Sequence, residues 1–558
     1  MTGEGILSAA LLVTALLLVA AVLPNAFVAK SGGVQPLALV IGVVVLSGGL
    51  GLAFGLGKWL TIGVLIAFAA LALLATSKHL ITPRSWLPLL PASLTVAVLA
   101  PTSIRLPYNL HDDLSAYLYL AERINQTGSL VDPFNARRLF TMGGSSFIQS
   151  LFLTEDGVEL LHFSDSVVAP ALLAFLCTCV LLQGASSRRH LLPVVSLGFL
   201  IGTATGLAAP RDNSSPYVWG VLTLVLASAL LVESIRTDAN VSVAFASVVS
   251  LALVLRLSLA VLLGATLAVY CSLLLRRRAW KESAAFFGSV TAFTGAWAYV
   301  SWLSSGAALY PLTRGNEDPS FPGFRLIEEG ATWASISRYV LFPGAIAALA
   351  CVVAGILAST FMSGSWRMAT LCLAVGGMSG GVLLVANLTL YHPWDHHRYI
   401  WPFFAAMVIV TGLGLALRKK AVSIQSALVV CTVVLIGVGT ITAKGYPDAW
   451  GPGTFRESAR QLTSHGTGTK AGLPGSEVVI RQYRSLQSRV PPGCRVFAAV
   501  DFPWAFDLVR NEIATWDLIG FSSPRPHIPL TGDSDALWRY LDDEGFDYAL
   551  FVDPHAKL

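Results

Sequence analysis

The chain has 558 residues, of which 54% are apolar and only 12% charged, with a net charge of +5 and a mean hydropathy of +0.67. A soluble protein of this length needs far more charge to cover its surface, so a large globular core is excluded. The small positive balance gives no support to a nucleic-acid partner, because the basic residues gather at the ends of apolar runs.

Apolar runs of spanning length recur along most of the chain. In order they cover 6–23, 34–57, 59–76, 86–104, 164–184, 191–209, 216–233, 240–255, 257–275, 284–303, 333–357, 369–390, 399–417 and 422–443, about fourteen expected membrane helices. The first, Ile6 to Leu23, lacks a basic leader and is long enough to span, which argues against a cleaved signal peptide. One set of alternate loops holds Lys30, Lys78 with Arg84, Arg188-Arg189, Arg236, Arg276-Arg277-Arg278 with Lys281, Arg367, and Arg418-Lys419-Lys420. The positive-inside rule makes that set cytoplasmic and places both termini outside. Of seven cysteines only Cys494 stands in a polar region, so no disulfide framework or cysteine-based metal site is available outside the membrane.

The loops on the opposite, outer face carry nearly every unusual polar cluster. The longest, about 105–163, opens with His111-Asp112-Asp113 and runs into Leu114, Tyr117, Leu118, Ala121 and Ile124, an apolar stripe at helical spacing. The stripe predicts a helix lying at the membrane surface, capped by Asn109 or Asp112 and ended by Gly128. Adjacent carboxylates at a helix start point about 100° apart, so one can serve as base or metal ligand while the other caps or orients. Asp132-Pro133-Phe134-Asn135 reads as a polar turn, and a short apolar helix is expected over 146–153. Farther along, the outer loops hold Arg211-Asp212, then Tyr310 and Arg314, and then the dense run from His392 to Tyr399. Arg256 stands between two apolar runs with no polar loop around it. A charge at that depth is costly unless paired or hydrated, which marks it as a candidate functional residue.

After Lys444 the spans stop, dividing the chain into a membrane module over 1–443 and an outer domain over 444–558. Within the latter, 445–475 reads as an irregular connector, 478–490 and 535–544 as helices, and 495–500 and 546–552 as strands. That pattern is a small α/β domain.

Two acids placed just after a span, at the start of an interfacial helix, resemble the first-loop acidic motif of the polytopic GT-C superfamily glycosyltransferases. The stretch from Asp112-Asp113 through Asp132-Pro133-Phe134-Asn135-Ala136-Arg137-Arg138 to Gly143-Gly144 is similar to the first loop of uncharacterised bacterial members. Arg398-Tyr399 followed by Pro402 is similar to the Arg-Tyr-x-x-Pro pattern that opens a late span in that family. The resemblance implies an all-α, GT-C-like polytopic fold in a bacterial plasma membrane. It also implies transfer of a sugar, with inversion, from a polyprenyl-phosphate donor to an envelope glycan, lipid or protein acceptor on the extracytoplasmic face. Asp113 or Asp112 would be the catalytic base, and Arg398 would face the donor phosphate. Arg256 and Tyr399 join Arg398 as phosphate-binding candidates, and His111, Arg211, Asp212, Tyr310, Arg314, His396 and His397 are candidate substrate contacts. A divalent cation is the one cofactor considered, with Asp112, Asp113 and His396 as candidate ligands. Two rivals make different demands. A transporter or flippase of a lipid-linked envelope precursor needs polar groups along a mid-membrane path, and a non-catalytic envelope scaffold would tolerate alanine at Asp112, Asp113 and Arg398.

Overall fold

The computed structural model describes residues 34–76, 86–103, 110–135, 142–153, 160–184, 191–209, 214–309, 315–316, 352–388, 396–417, 476–516, 523–529 and 533–551. The spans expected at 6–23 and 422–443, most of that at 333–357, and the connector 445–475 lie outside the described residues. What is described is a multi-pass helical membrane module and a small α/β unit at the C-terminal end.

A segment in hydrocarbon must satisfy its backbone groups internally, so the apolar runs become helices. They are α1 (Val34–Ala53), α2 (Lys58–Thr76), α3 (Leu89–Ser103), and, after the first loop with α4 (Leu118–Thr127) and α5 (Gly144–Ser150), α6 (Ala169–Gly184). Then follow α7 (Leu191–Ala208), α8 (Tyr217–Thr237), α9 (Ser242–Leu255), α10 (Leu257–Arg276), α11 (Trp280–Ser305), α12 (Gly364–Leu388) and α13 (His396–Ala416). Among the described residues five segments are long and apolar enough to cross a membrane: Val34–Ala53, Ser164–Gln183, Leu191–Ala208, Tyr217–Thr237 and Leu257–Arg276.

Helix α8 is the centre of the bundle, packed by α1, α6, α9, α10, α12 and α13 and buried along nearly its whole length. A Cβ on Gly220, in its first turn, would stand 2.9 Å from Leu259 and 3.0 Å from Pro402. The starts of α8, α10 and α13 therefore lie side by side at one end of the bundle. At the other end Arg277 pairs with Asp238 and donates to the Ser234 carbonyl, and Gln35 donates to Glu233. The basic residues Arg236 and Arg276 to Arg278 thus sit opposite the end that carries the first loop.

The first loop departs from expectation in its surroundings. A wide-turned helical segment, Leu110–Tyr117, feeds α4, which Gly128 ends in the left-handed conformation. Asp112 lies inside that segment, so it is not the cap predicted for the helix. Nor is the helix buried along the predicted stripe alone. Leu118, Ala121 and Ile124 are buried, but so are Tyr119 and Glu122 on other faces, because α4 is packed by α5 and by the C-terminal unit's turn Pro503–Ala505. The short helix expected at 146–153 spans Gly144–Ser150, and its start is pressed against α9, where a Cβ on Gly144 would meet the Val254 carbonyl at 2.8 Å.

The C-terminal unit contains α14 (Ser476–Gln487), β1 (Arg495–Ala499), β2 (Glu512–Thr515), α15 (Ser534–Asp543) and β3 (Tyr548–Phe551). The strands form a parallel sheet in the order β2-β1-β3, with Phe497 opposite Ala514 on one side and Ala549 on the other. Its small core includes one residue from far away in sequence. Phe134 of the first loop is fully buried and packs edge-on against Phe497 at 5.3 Å and Phe546 at 5.4 Å. Removing such a ring costs about 3–5 kcal/mol in a well-packed core. Phe134→Ala is therefore expected to speed amide exchange across β1 and β3; unchanged exchange would show that the ring is dispensable to that core.

Candidate functional site at the loop end of the bundle

The N-terminus of the central helix α8 organises this end. Its early N–H groups have no partner within the helix and need outside acceptors. Asp165, at the start of the neighbouring span, accepts from Val218 N at 2.9 Å and Trp219 N at 3.0 Å. The Trp219 indole donates to the Ser164 carbonyl, closing the same joint.

Just upstream, Ser214 meets the first loop. Asp113 is fully buried, and its Oδ1 accepts from Ser214 N at 2.6 Å. Its Oδ2 lies 3.4 Å from His162 Nε2, while His162 Nδ1 lies 3.3 Å from Ser214 Oγ. Gln149 of α5 donates to the Ser214 carbonyl at 2.8 Å, and Tyr117 and Ser215 share a hydroxyl–hydroxyl bond of 3.0 Å. Simple helix capping is thus not what Asp113 does, since its carboxylate bonds a residue far along the chain.

Arg256 occupies the break between α9 and α10 in an extended conformation, φ −170° and ψ 127°. Its N–H still donates to Ala252 and its carbonyl accepts from Leu259, so the two helices meet without a loop. It is half-buried, three residues from Leu259 and so beside the first turn of α8. Residues His396, His397, Arg398 and Tyr399 open α13 one turn before Pro402, at the same end. The backbones of His111 and Asp112 lie in the Leu110–Tyr117 segment beside Asp113. The side chains of these six, and all of Arg211, Asp212, Tyr310 and Arg314, lie outside the described residues. Their described neighbours Ser214 and Asn316 are at the loop end, where Asn316 accepts from Ser523 of the C-terminal unit. Among the described residues no group of three or more His, Cys, Asp or Glu could hold a metal. Asp113, with one oxygen on an N–H and the other facing an imidazole nitrogen, does not fit a cation ligand.

His162, Asp165 and Ser214 were not singled out in the sequence. Asp165 had a faint signal, an acid in the first turn of a span, but nothing local tells that it serves another helix.

A second polar joint holds the C-terminal unit to this end. Asp132 is fully buried and its Oδ2 accepts from Tyr119 Oη at 2.6 Å, Thr515 Oγ1 at 2.9 Å and Thr515 N at 3.1 Å. Arg123 lies 3.9 Å from that carboxylate and donates to the Ile513 carbonyl at 2.6 Å. Asn135 donates to Thr515 Oγ1 at 3.0 Å, and Gln126 accepts from Leu508 N at 2.8 Å. Apart from the Tyr119–Asp132 bond and the Arg123–Asp132 contact inside the first loop, each of these joins the first loop to β2 or the turn before it.

Among solved structures, the chain is similar to ArnT from Cupriavidus metallidurans bound to undecaprenyl phosphate, with a TM-score of 0.41 and 15% identity over 84% of this chain and 90% of that one. No family model matches the chain, and no curated protein matches it in sequence.

The joint has a pH signature. Burial pushes the phenols of Tyr119, Tyr483 and Tyr540 up, that of Tyr483 to about 12. An unfolded tyrosine ionises near pH 10, so the folded state holds protons that the unfolded state has already lost above that pH. The stabilisation is fully present below about pH 10 and drains away as pH rises towards the folded values. Near-ultraviolet circular dichroism of the C-terminal unit should therefore collapse together with delayed tyrosinate absorbance; absorbance rising freely near pH 10 with the signal intact would refute the burial of these phenols.

Proposed function

We propose that this protein is a GT-C-type membrane glycosyltransferase, moving a sugar from a polyprenyl-phosphate donor to an envelope glycan, lipid or protein acceptor on the extracytoplasmic face. The observation that carries the reading is that the backbone of the first-loop acids, Arg256 and the opening turn of α13, which holds Arg398, lie around the first turn of α8. The placement of the basic residues Arg236 and Arg276 to Arg278 at the opposite end supports an extracytoplasmic site.

The chemistry follows from those residue types. An acceptor hydroxyl attacks the anomeric carbon, its proton passes to the Asp112-Asp113 pair, and the bond from carbon to phosphate oxygen breaks with its electron pair on the phosphate. Attack opposite the leaving group inverts the centre. The leaving polyprenyl phosphate needs positive charge more than it needs an acid. Helices α8, α10 and α13 all begin at this end and direct their positive poles there, but Asp165 already occupies the first turn of α8. The charge therefore falls to Arg256 and Arg398, with Tyr399 beside it, and a guanidinium presents a planar fork of donors suited to phosphate oxygens. His111, Arg211, Asp212, Tyr310, Arg314, His396 and His397 remain the substrate contacts of this reading, and no step requires a metal.

A transporter is less well supported. Buried polar groups within the described spans, such as Thr178, Thr205, Thr223 and Ser228, donate to carbonyls four residues back in their own helices. Hydroxyls paired in that way are turned back onto their own helices, although Thr203, Ser250, Thr266 and Thr411 among the described residues are not so paired.

Purified protein in liposomes, supplied with a panel of polyprenyl-phosphate sugars and candidate acceptors, is expected to release polyprenyl phosphate with one of them. Arg398→Ala and Arg256→Ala should each lower kcat roughly 10²-fold. Wild-type protein that releases nothing from any donor, or variants as fast as wild type, would sink the assignment.

A further inference from the structure

The C-terminal unit carries a surface that the proposed reaction does not use. We infer that the outward face of α14 is a docking groove for a polyanionic glycan chain. The inference goes beyond the glycosyltransferase reading and holds or fails without it.

Helix α14 has two unlike sides. Its apolar side is taken up by the unit's own core: Val479 is buried, and the Tyr483 ring packs against Phe502 at 6.1 Å and Phe506 at 5.0 Å. Gln487 is committed on that side as well, donating to the Asp507 carbonyl at 2.7 Å and accepting from Asp507 N at 2.9 Å. The outward side is an open groove of about 420 Å³, lined by two neighbouring rows at helical spacing. One row is Arg481, Ser485 and Arg489, and the other is Val478, Gln482 and Leu486. All six are exposed, and among the described residues no acid lines the groove.

A helix face that only meets water mixes charges of both signs. Here the signs are sorted. Over 478–489 the exposed charges are Arg481, Arg484 and Arg489, whereas α15 of the same unit exposes Asp535, Asp542 and Asp543. That sorting selects an anionic partner for α14. Guanidinium forks suit carboxylate, sulfate or phosphate oxygens, and the Gln482 amide and Ser485 hydroxyl between them can bond sugar hydroxyls. Arg481 and Arg489 stand about 12 Å apart along the helix axis. The anions they take therefore sit on different units of a chain, and a small ion would reach only one of them.

A lipid surface fits this face less well. An interfacial helix inserts its apolar side among the lipids, and that side of α14 is already buried in the unit. Val478 and Leu486 are about two turns apart, with Gln482 between them in their row. The groove is also tied to the loop end of the bundle. Both α14 and the first-loop helix α4 pack on the turn Pro503–Ala505, and Leu508 N donates to Gln126. A glycan held there stands on the same unit that walls the candidate site.

The test uses the full-length protein in nanodiscs of uncharged lipid, titrated against fluorescent polygalacturonate. Binding is expected, with an affinity that falls as salt is raised, and uncharged dextran should not compete. Arg481→Gln combined with Arg489→Gln should weaken binding roughly tenfold or more while circular dichroism and melting stay as in wild type. Ser485→Trp, which fills the groove without changing charge, should weaken it too. Arg525→Gln combined with Arg539→Gln removes the same charge from exposed positions of the same unit, and should leave the affinity within about twofold. Equal losses in the two double variants would reduce the effect to net charge and overturn the groove. No binding of polygalacturonate would overturn it as well, and so would its displacement by vesicles of phosphatidylglycerol and phosphatidylcholine in equal parts, which would give the face to lipid. None of these outcomes depends on whether the protein transfers a sugar.

Discussion

The first turn of a buried helix leaves N–H groups that cannot stay unpaired in a low-dielectric interior. Helix α8 begins in such a place, at the centre of the bundle and at the end where the loops gather. Its needs are met by acids from elsewhere in the chain: Asp165 takes Val218 and Trp219, and Asp113 takes Ser214 just ahead of them. These bonds do two things at once. They let the central helix start without an orphaned donor, and they fix the first loop and the turn before α6 relative to it.

From that fixed point the outer parts are built in sequence. Tyr117, Tyr119 and Arg123 continue along the first-loop helices, and Asp132 joins the last two to β2 of the C-terminal unit. Breaking one partner of a buried ion pair is costly, about 3–5 kcal/mol, because the other charge stays behind without compensation. Together with Phe134 in its core, this makes the unit an integral wall of the loop end. The Asn316–Ser523 bond reaches a second outer loop from the same unit, so two loops that the sequence keeps far apart are held by one support.

Much of the helical module was legible because bilayer physics is coarse. Apolar runs near 34–57, 164–184, 191–209, 216–233 and 257–275 correspond to described helices with ends shifted by only a few residues, and Arg256 does mark a break between two of them. Gly128 ends the first-loop helix because its φ of 69° suits a residue without a side chain. The C-terminal helices and two of its strands were visible as helical stretches and short apolar runs set off by breakers such as Pro491-Pro492-Gly493. Strand β2 was not: Glu512–Thr515 is four residues long and has no pattern of its own, and only its pairing with β1 defines it.

What the sequence determined by itself is which segments enter the membrane and which residues collect at their ends, since both follow from the cost of placing charge and unpaired backbone in hydrocarbon. It also supplied the two acids and the arginines, as residue types in loops. Only the tertiary structure decided what they meet. Asp113 and Ser214 are 101 residues apart, and Asp132 and Thr515 are 383 apart. No local pattern encodes such a bond, because partner choice is settled by which helix ends the packing of the bundle brings together.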